Sequence, residues 1–273
     1  MVPWMGQRVG GRTMRVLVTV KAYPTVGQSD GEAVCVAGVR LDGDEPSWIR
    51  LWPVGFRELS ATEQFRKWQV IEVEASRSTK DRRPESFRPN LSTLQPLEDI
   101  KSLQNWKRRR EALGGLLGQT TLCDLMRVQE QPNAPSLGLV KVRPGATAEI
   151  VDGPIWSPDK ESLAQFHAAP NLFRHKALPP LKPPAYQVRY AWRCLDAHCP
   201  GHNHASCDWE VGAAALNWQR RYPDVRPHLL NNFGDGIIGD GKDTYFFVGN
   251  QHQRPRSFLV LGAFYPKALN VQR

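Results

Sequence analysis

No run of apolar residues in this chain approaches the roughly 20 that a membrane-crossing helix needs. The opening M-V-P-W-M-G-Q-R-V-G-G-R-T-M lacks the continuous apolar segment of a secretory leader. Both absences point to a cytoplasmic protein. Residues 1–14 read as a disordered tail, with Met14 able to serve as a start. Catalytic signatures are missing too. There is no G-x-x-x-x-G-K-[ST] phosphate loop and no H-E-x-x-H. The H-x-E with P-C-x-x-C of the zinc deaminases is also absent. Catalytic zinc is not indicated, and no motif makes the chain an enzyme. Cysteine is sparse and odd in number, five in all, which does not suit a disulfide framework. Acidic residues fall short of basic ones, 27 against 36, leaving a formal net charge of +9. A basic balance attracts polyanions, so nucleic acid is a natural partner. An acidic protein partner would serve the same charge.

What the chain has is a local concentration of metal ligands. Between Cys194 and Cys207, in C-L-D-A-H-C-P-G-H-N-H-A-S-C, lie three cysteines and three histidines. Chance would put fewer than one of the chain's Cys and His residues there. Thiolate and neutral imidazole are ligands for Zn²⁺, and four of them close a tetrahedral site that is structural rather than catalytic. The set expected here is Cys194, Cys199, His202 and Cys207, with His204 an alternative to His202. A tight turn at Gly201 favours His202 by bringing its ring back toward Cys199. Cys35 and Cys123 read as ordinary buried thiols.

Two basic segments are candidates for nucleic-acid contact. The first is Arg77, Lys80, Arg82, Arg83 and Arg88, with Phe87 among them, in S-R-S-T-K-D-R-R-P-E-S-F-R-P-N. Arginine beside an aromatic suits phosphate contact with base stacking. The second is His252, Arg254 and Arg256, at the tip of a predicted hairpin. The run Lys107 to Arg110 reads equally well as a helix end whose cations complement the dipole. Carboxylates offer a rival reading as a metal-dependent nuclease: Asp208 and Glu210, with Asp235, Asp240 and Asp243 beside Lys242. Asp208 and Glu210 also stand where a helix begins, where acidic residues belong anyway.

At 273 residues the chain can bury a sizeable core. Strands are predicted over 16–22, 33–41, 48–54 and 70–75, with a helix over 56–68 between the third and fourth. Residues 76–90 look too polar and Pro-rich for a regular element. Helices are predicted over 97–113, 121–129 and 157–168, and strands over 137–142 and 147–151. The stretch A-L-P-P-L-K-P-P-A over 177–185 reads as an extended linker. Beyond it come a strand over 186–193, the Cys/His loop, a helix over 209–221, a Gly/Asp-rich loop and strands over 244–250 and 257–265.

The fold class is therefore α+β. A small OB-like β-unit spans 15–176, and a zinc-stapled β-rich module spans 186–273. The pair C-V-A-G-V (35–39) and W-I-R-L-W-P (48–53) resembles the opening strands of bacterial proteins with dual OB-like domains. That resemblance covers about a fifth of the chain and carries no catalytic residue. It implies a recognition subunit within a larger bacterial system of genome defence or repair.

Overall fold

The computed structural model describes residues 11–169 and 178–268. Residues 1–10 of the expected tail, residue 177 of the expected linker and the last five residues lie outside it. Of the other residues assigned to the tail, Arg12 to Met14 already belong to the first strand, and Met14 is buried.

The strands form two barrels of the same order. In the first, β1 (Arg12–Lys21), β3 (Gly31–Arg40), β4 (Ser47–Val54), β5 (Gln69–Arg77) and β6 (Ser86–Asp99) close a ring, with short β2 (Thr25–Gly27) beside β3. β1 pairs with β3, β3 with β4 and β5 with both β6 and β1, all antiparallel. β4 and β6 run parallel. In order around the ring this is first, second, third, fifth, fourth strand, the Greek-key barrel of an OB fold. Closure is tight at Gly38, where a Cβ would stand 2.1 Å from the Leu17 carbonyl oxygen.

The second barrel repeats this order with a broken first strand. β7 (Leu137–Lys141) pairs with β11 (Tyr245–Gln251), whereas β8 (Thr147–Asp152) pairs with β9 (Tyr186–Trp192). The change of partner falls between two consecutive residues: the Val142 amide donates to Thr244 and the Arg143 amide to Arg193. β9 pairs with β10 (His202–Ala205), and β11 with β12 (Arg254–Phe264). A parallel bridge between Ser206 and Val260 joins the third strand to the fifth.

Strand alternation explains how the barrels pack. In β1, Met14, Val16 and Val18 face the first barrel's core, while Leu17 and, past a bulge between Val18 and Val20, Val20 face a second cluster shared with Leu139, Phe247, Leu261 and Phe264. In β11, Phe246 and Val248 enter the second barrel's core and Phe247 the shared seam. Strands buried on both faces read as continuous apolar runs, because successive side chains leave on opposite sides. The first barrel thus ends near α1 (Leu103–Leu113), and the chain from α2 (Leu122–Arg127) onward builds the second. The expected division at residue 177 is displaced, because β7 and β8 find their partners among later strands.

Three further expectations give way. Residues 56–68 form turns, not a helix: Phe56 packs edge-on against Phe65 with centroids 5.1 Å apart, and Trp68 has φ +66°. The polar 76–90 stretch is the end of β5, a tip over 78–85 and the start of β6, which runs on to Asp99, so the helix expected over 97–113 begins only at Leu103. The Pro-rich segment is a strap rather than a spacer. Leu181 packs with Val26, Trp156 and Ala164, the last on α3 (Pro158–Ala168), and Arg57 donates to the Pro179 carbonyl at 2.6 Å. Within the expected Gly/Asp-rich loop, residues 226–238 are helical, following α4 (Trp209–Trp218). Among the described residues no helix is long and apolar enough to cross a membrane.

Candidate metal centre and nucleic-acid interface

Cys194, Cys199 and His202 come together as expected, but their fourth companion is Cys123. The four ligand atoms lie within 4.8 Å of one another. Cys194 Sγ is 3.6 Å from Cys123 Sγ, and His202 Nε2 is 3.2 Å from Cys199 Sγ and 3.8 Å from Cys123 Sγ. Metal–sulfur bonds of about 2.3 Å and metal–nitrogen bonds of about 2.0 Å make a tetrahedron with edges of about 3.4–3.8 Å, so the group has the dimensions of a metal cage.

Local structure places each ligand. Thr121 caps α2 by accepting from the Asp124 amide, which fixes Cys123 in the first turn. Cys194 and Cys199 stand on the loop between β9 and β10, and Gly201, at φ +98°, returns the chain so that His202 opens β10. Arg127 on α2 pairs with Asp196 on the loop, tying the two halves of the cage. Burial, with the neighbouring sulfurs of Cys194 and Cys199, pushes the Cys123 thiol up to about 12. Burial also raises Cys194, but backbone hydrogen bonds from Cys123 and Asp196 outweigh it and leave that thiol lowered. Burial lowers His202, favouring the neutral ring that can bind a cation.

Cys207, expected in this group, sits elsewhere. Its thiol donates to the Val260 carbonyl at 3.7 Å beside the shared seam, and burial pushes it up to about 12. The bridge that joins β10 to β12 turns it away from the loop. Cys123 was hidden in the sequence because 71 positions separate it from Cys194. Only the packing of α2 on the second barrel brings it in.

The two basic segments meet. The tip over 78–85 joins the first barrel's last two strands, and the turn between β11 and β12 joins the corresponding strands of the second. His252 Nδ1 lies 3.2 Å from Asp81 Oδ1, and Arg83 Nη1 donates to the Asn250 carbonyl at 2.7 Å. Arg83 also chelates Asp81 and is part-buried, so it is a fastener rather than a free cation. Arg77 donates to the Pro84 carbonyl with its guanidinium 5.0 Å from the Phe87 ring, and Phe87 packs against the first barrel's core. Arg88 lies 3.9 Å from Asp30, and Arg256 pairs with Glu130 at 2.7 Å. Lys80, Arg82 and Arg254 are exposed and have no ion-pair partner among the described residues.

Several other candidate charges are held by partners within the fold. Arg109 lies against Trp68 and Trp106, 4.6 Å from each ring, and donates to the Ile100 carbonyl at 2.9 Å. Asp208 and Glu210 both hold Lys67, at 2.7 and 2.8 Å, and Asp208 also caps α4. Asp243 pairs with Arg110 and Lys141. Among the described residues no three carboxylates gather as a cation site.

Residues 118–273, more than half of the chain, match the family model described as a domain of unknown function, DUF8757. The chain belongs to that family. Ahead of the DUF8757 region, residues 12–115 match a second model, DUF8758, so the two family boundaries coincide with the two barrels. No curated protein matches. Solved structures similar to the chain include a murine DNA-binding protein bound to double-stranded DNA, at 8% identity and TM-score 0.27, covering 96% of this chain and 98% of that one. Another is an Ifi202 HINa domain in complex with 20 bp double-stranded DNA, at 8% identity and TM-score 0.31, covering 95% and 98%. A third is a tetrameric p202 HIN2, at 5% identity and TM-score 0.27, covering 95% and 96%. Scores this low leave the question of ligand to this chain's own residues.

Proposed function

We propose that this DUF8757 protein binds nucleic acid through the joined tips of its two OB barrels, with Zn²⁺ as a structural ion in the second. The observation that carries this reading is the fastening of the 78–85 tip to the β11–β12 turn by Arg83, Asn250, Asp81 and His252. The two segments so joined carry Lys80, Arg82 and Arg254, all exposed and without ion-pair partners among the described residues. The loop between fourth and fifth strands is one of those through which OB folds bind oligonucleotides, and unpaired cations there suit phosphate. Three sulfurs and one nitrogen suit Zn²⁺, and thiolate ligands persist in a reducing compartment such as the cytoplasm. If the dual OB-like resemblance extends to biology, the chain is a recognition subunit in bacterial genome defence or repair.

The test is fluorescence anisotropy of zinc-loaded protein with labelled single- and double-stranded DNA and RNA across a salt series. Affinity that falls linearly in log–log form supports a phosphate-tracking surface. The variant K80A/R82A/R254A should bind at least tenfold more weakly. Absence of binding at low salt to all four probes would overturn the reading and leave the charge to an acidic protein partner.

A further inference from the structure

We propose that a groove on the outer face of the second barrel, beside the metal loop, is a nucleoside-phosphate site that takes one nucleotide of a single strand, a proposal that rests on the nucleic-acid reading above. The groove has a volume of about 620 Å³ and is lined by Arg143, Thr147, Trp192, Arg193, His202 and Asn203, among others. That volume falls in the range of about 300–1,000 Å³ of small-molecule sites. A single nucleotide fits such a concavity, whereas a duplex presents no unit small enough to enter it.

Its floor follows from strand register. Thr147 on β8 and Asn203 on β10 both pair with Ala191 on β9, so the three form one row across the sheet. All three are exposed, while Trp192, next in sequence, turns inward and is 3% exposed. The row therefore offers a hydroxyl and an amide to solvent on the barrel's outside. At one end of it stand two arginines whose backbones are joined, the Arg143 amide donating to the Arg193 carbonyl at 2.9 Å. Arg143 comes from the bend between β7 and β8, and its guanidinium is held by the carbonyls of Leu195 and Asp196 at 3.3 and 3.1 Å. Arg193 directly follows β9 and is exposed, and its guanidinium has no hydrogen-bond or ion-pair partner among the described residues. One cation is thus fixed and the other free, and no described lining residue is acidic.

The contrast with the first barrel sharpens the assignment. Its cavity, about 270 Å³, is lined by Asp30, Glu32 and Glu58 as well as Arg88, a carboxylate-rich wall unsuited to phosphate. In the second barrel the metal loop itself supplies Arg193, Pro200 and Gly201. A cation held by Cys194, Cys199 and His202 would therefore fix one wall of the groove. The site lies at the bend of the first strand, away from the joined tips, and a strand reaching both would run along the second barrel.

The experiment compares wild type, Arg193→Glu, Arg143→Ala and K80A/R82A/R254A for binding of labelled oligothymidine and of a labelled duplex. Arg193→Glu should weaken oligothymidine binding at least tenfold and make the log–log salt slope shallower by about 0.7 for each phosphate it ceases to neutralise. Duplex binding should change less than twofold. Among the described residues Arg193 makes no side-chain hydrogen bond or ion pair, so this variant carries the test if thermal melting shows that Arg143→Ala is unfolded. Wild-type affinity for oligothymidine in Arg193→Glu, with weakened binding in the tip variant, would overturn the groove and leave the tips standing. If wild type binds no nucleic acid polymer, calorimetry with AMP decides: uptake abolished by Arg193→Glu supports a free-nucleotide site, and no uptake overturns the proposal.

Discussion

Arg50 on β4 donates to the Ser136 hydroxyl at 2.7 Å, and Ser136 in turn donates to Glu85 at 2.6 Å, so that a buried relay joins the two barrels. Arg50 is 2% exposed, Ser136 0% and Glu85 7%. The Ser136 amide also donates to Glu85, which leaves the carboxylate doubly anchored. Removing one partner of a buried charged network strands the other without water. Arg50→Met should therefore cost about 3–5 kcal/mol in urea unfolding, while Arg50→Met with Glu85→Gln should recover much of the loss. A double variant no more stable than Arg50→Met would show that the charges are not coupled.

The metal cage makes a prediction that distinguishes two cysteines. Protein purified without chelator should carry one Zn²⁺ per chain, and Cys123→Ser should lose it while Cys207→Ser keeps it. Cobalt substitution should give the absorption of a tetrahedral site with three sulfurs, weakened by Cys123→Ser and unchanged by Cys207→Ser. Because a closed site contributes directly to folding, chelation should lower the melting temperature of wild type. Metal content unaffected by Cys123→Ser would refute the cage.

Arg83 and Lys80, three positions apart, should behave differently. Arg83 spends its guanidinium on Asp81 and Asn250, so Arg83→Ala should cost about 1–3 kcal/mol of stability by loosening the tips. It should leave the salt slope of nucleic-acid binding unchanged. Lys80→Ala should spare stability and reduce that slope by about one. The anchor is acid-sensitive. Burial alone would raise the Asp81 carboxyl, but hydrogen bonds from Arg83 and Ser86 hold it below its ordinary 3.8. Its contribution is thus present above about pH 4 and lost as pH falls through the lower folded value. Thermal melts of Arg83→Ala and wild type should converge in acid.

Strands were legible where one face or both faces were apolar, as in R-V-L-V-T-V and T-Y-F-F-V-G-N, because alternation and β-branching are local signals. The 56–68 segment misled for a physical reason: Phe56 and Leu59, like Phe65 and Trp68, are three positions apart as on a helix, but turns place Phe56 and Phe65 in the barrel core and Trp68 in the shared seam. The first strand of the second barrel looked like two strands because its bend, R-P-G-A, carries turn residues, and only pairing with β11 and β9 shows them to be one path. Cys194, Cys199 and His202 were readable from their spacing. Cys123 was not, since nothing local marks a helix that will dock beside a loop some 70 residues later. Arg83 and Phe87 looked like binding residues because sequence shows charge and aromaticity without their partners.

Lys21 sets the last expectation. It is 9% exposed, its Nζ lies 3.7 Å from the Phe56 ring and 4.9 Å from the Trp209 ring, and it reaches the Phe65 carbonyl at 3.4 Å. Burial lowers its pKa from 10.5 to about 8; Lys67 adds to the shift, and Glu210 and Asp208 oppose it. The folded value lies below the unfolded one, so between about pH 8 and 10.5 the unfolded chain holds the extra proton. Stability from this group therefore rises with pH across that window and is at its lowest below about pH 8. Lys21→Met keeps the apolar contacts and removes the buried charge. It should stabilise the protein at neutral pH by about 1–3 kcal/mol and abolish this group's share of the alkaline rise. Urea midpoints measured from neutral to alkaline pH check both. A destabilised Lys21→Met at pH 7 would mean that the two aromatic rings and the Phe65 carbonyl outweigh the cost of burying the ammonium.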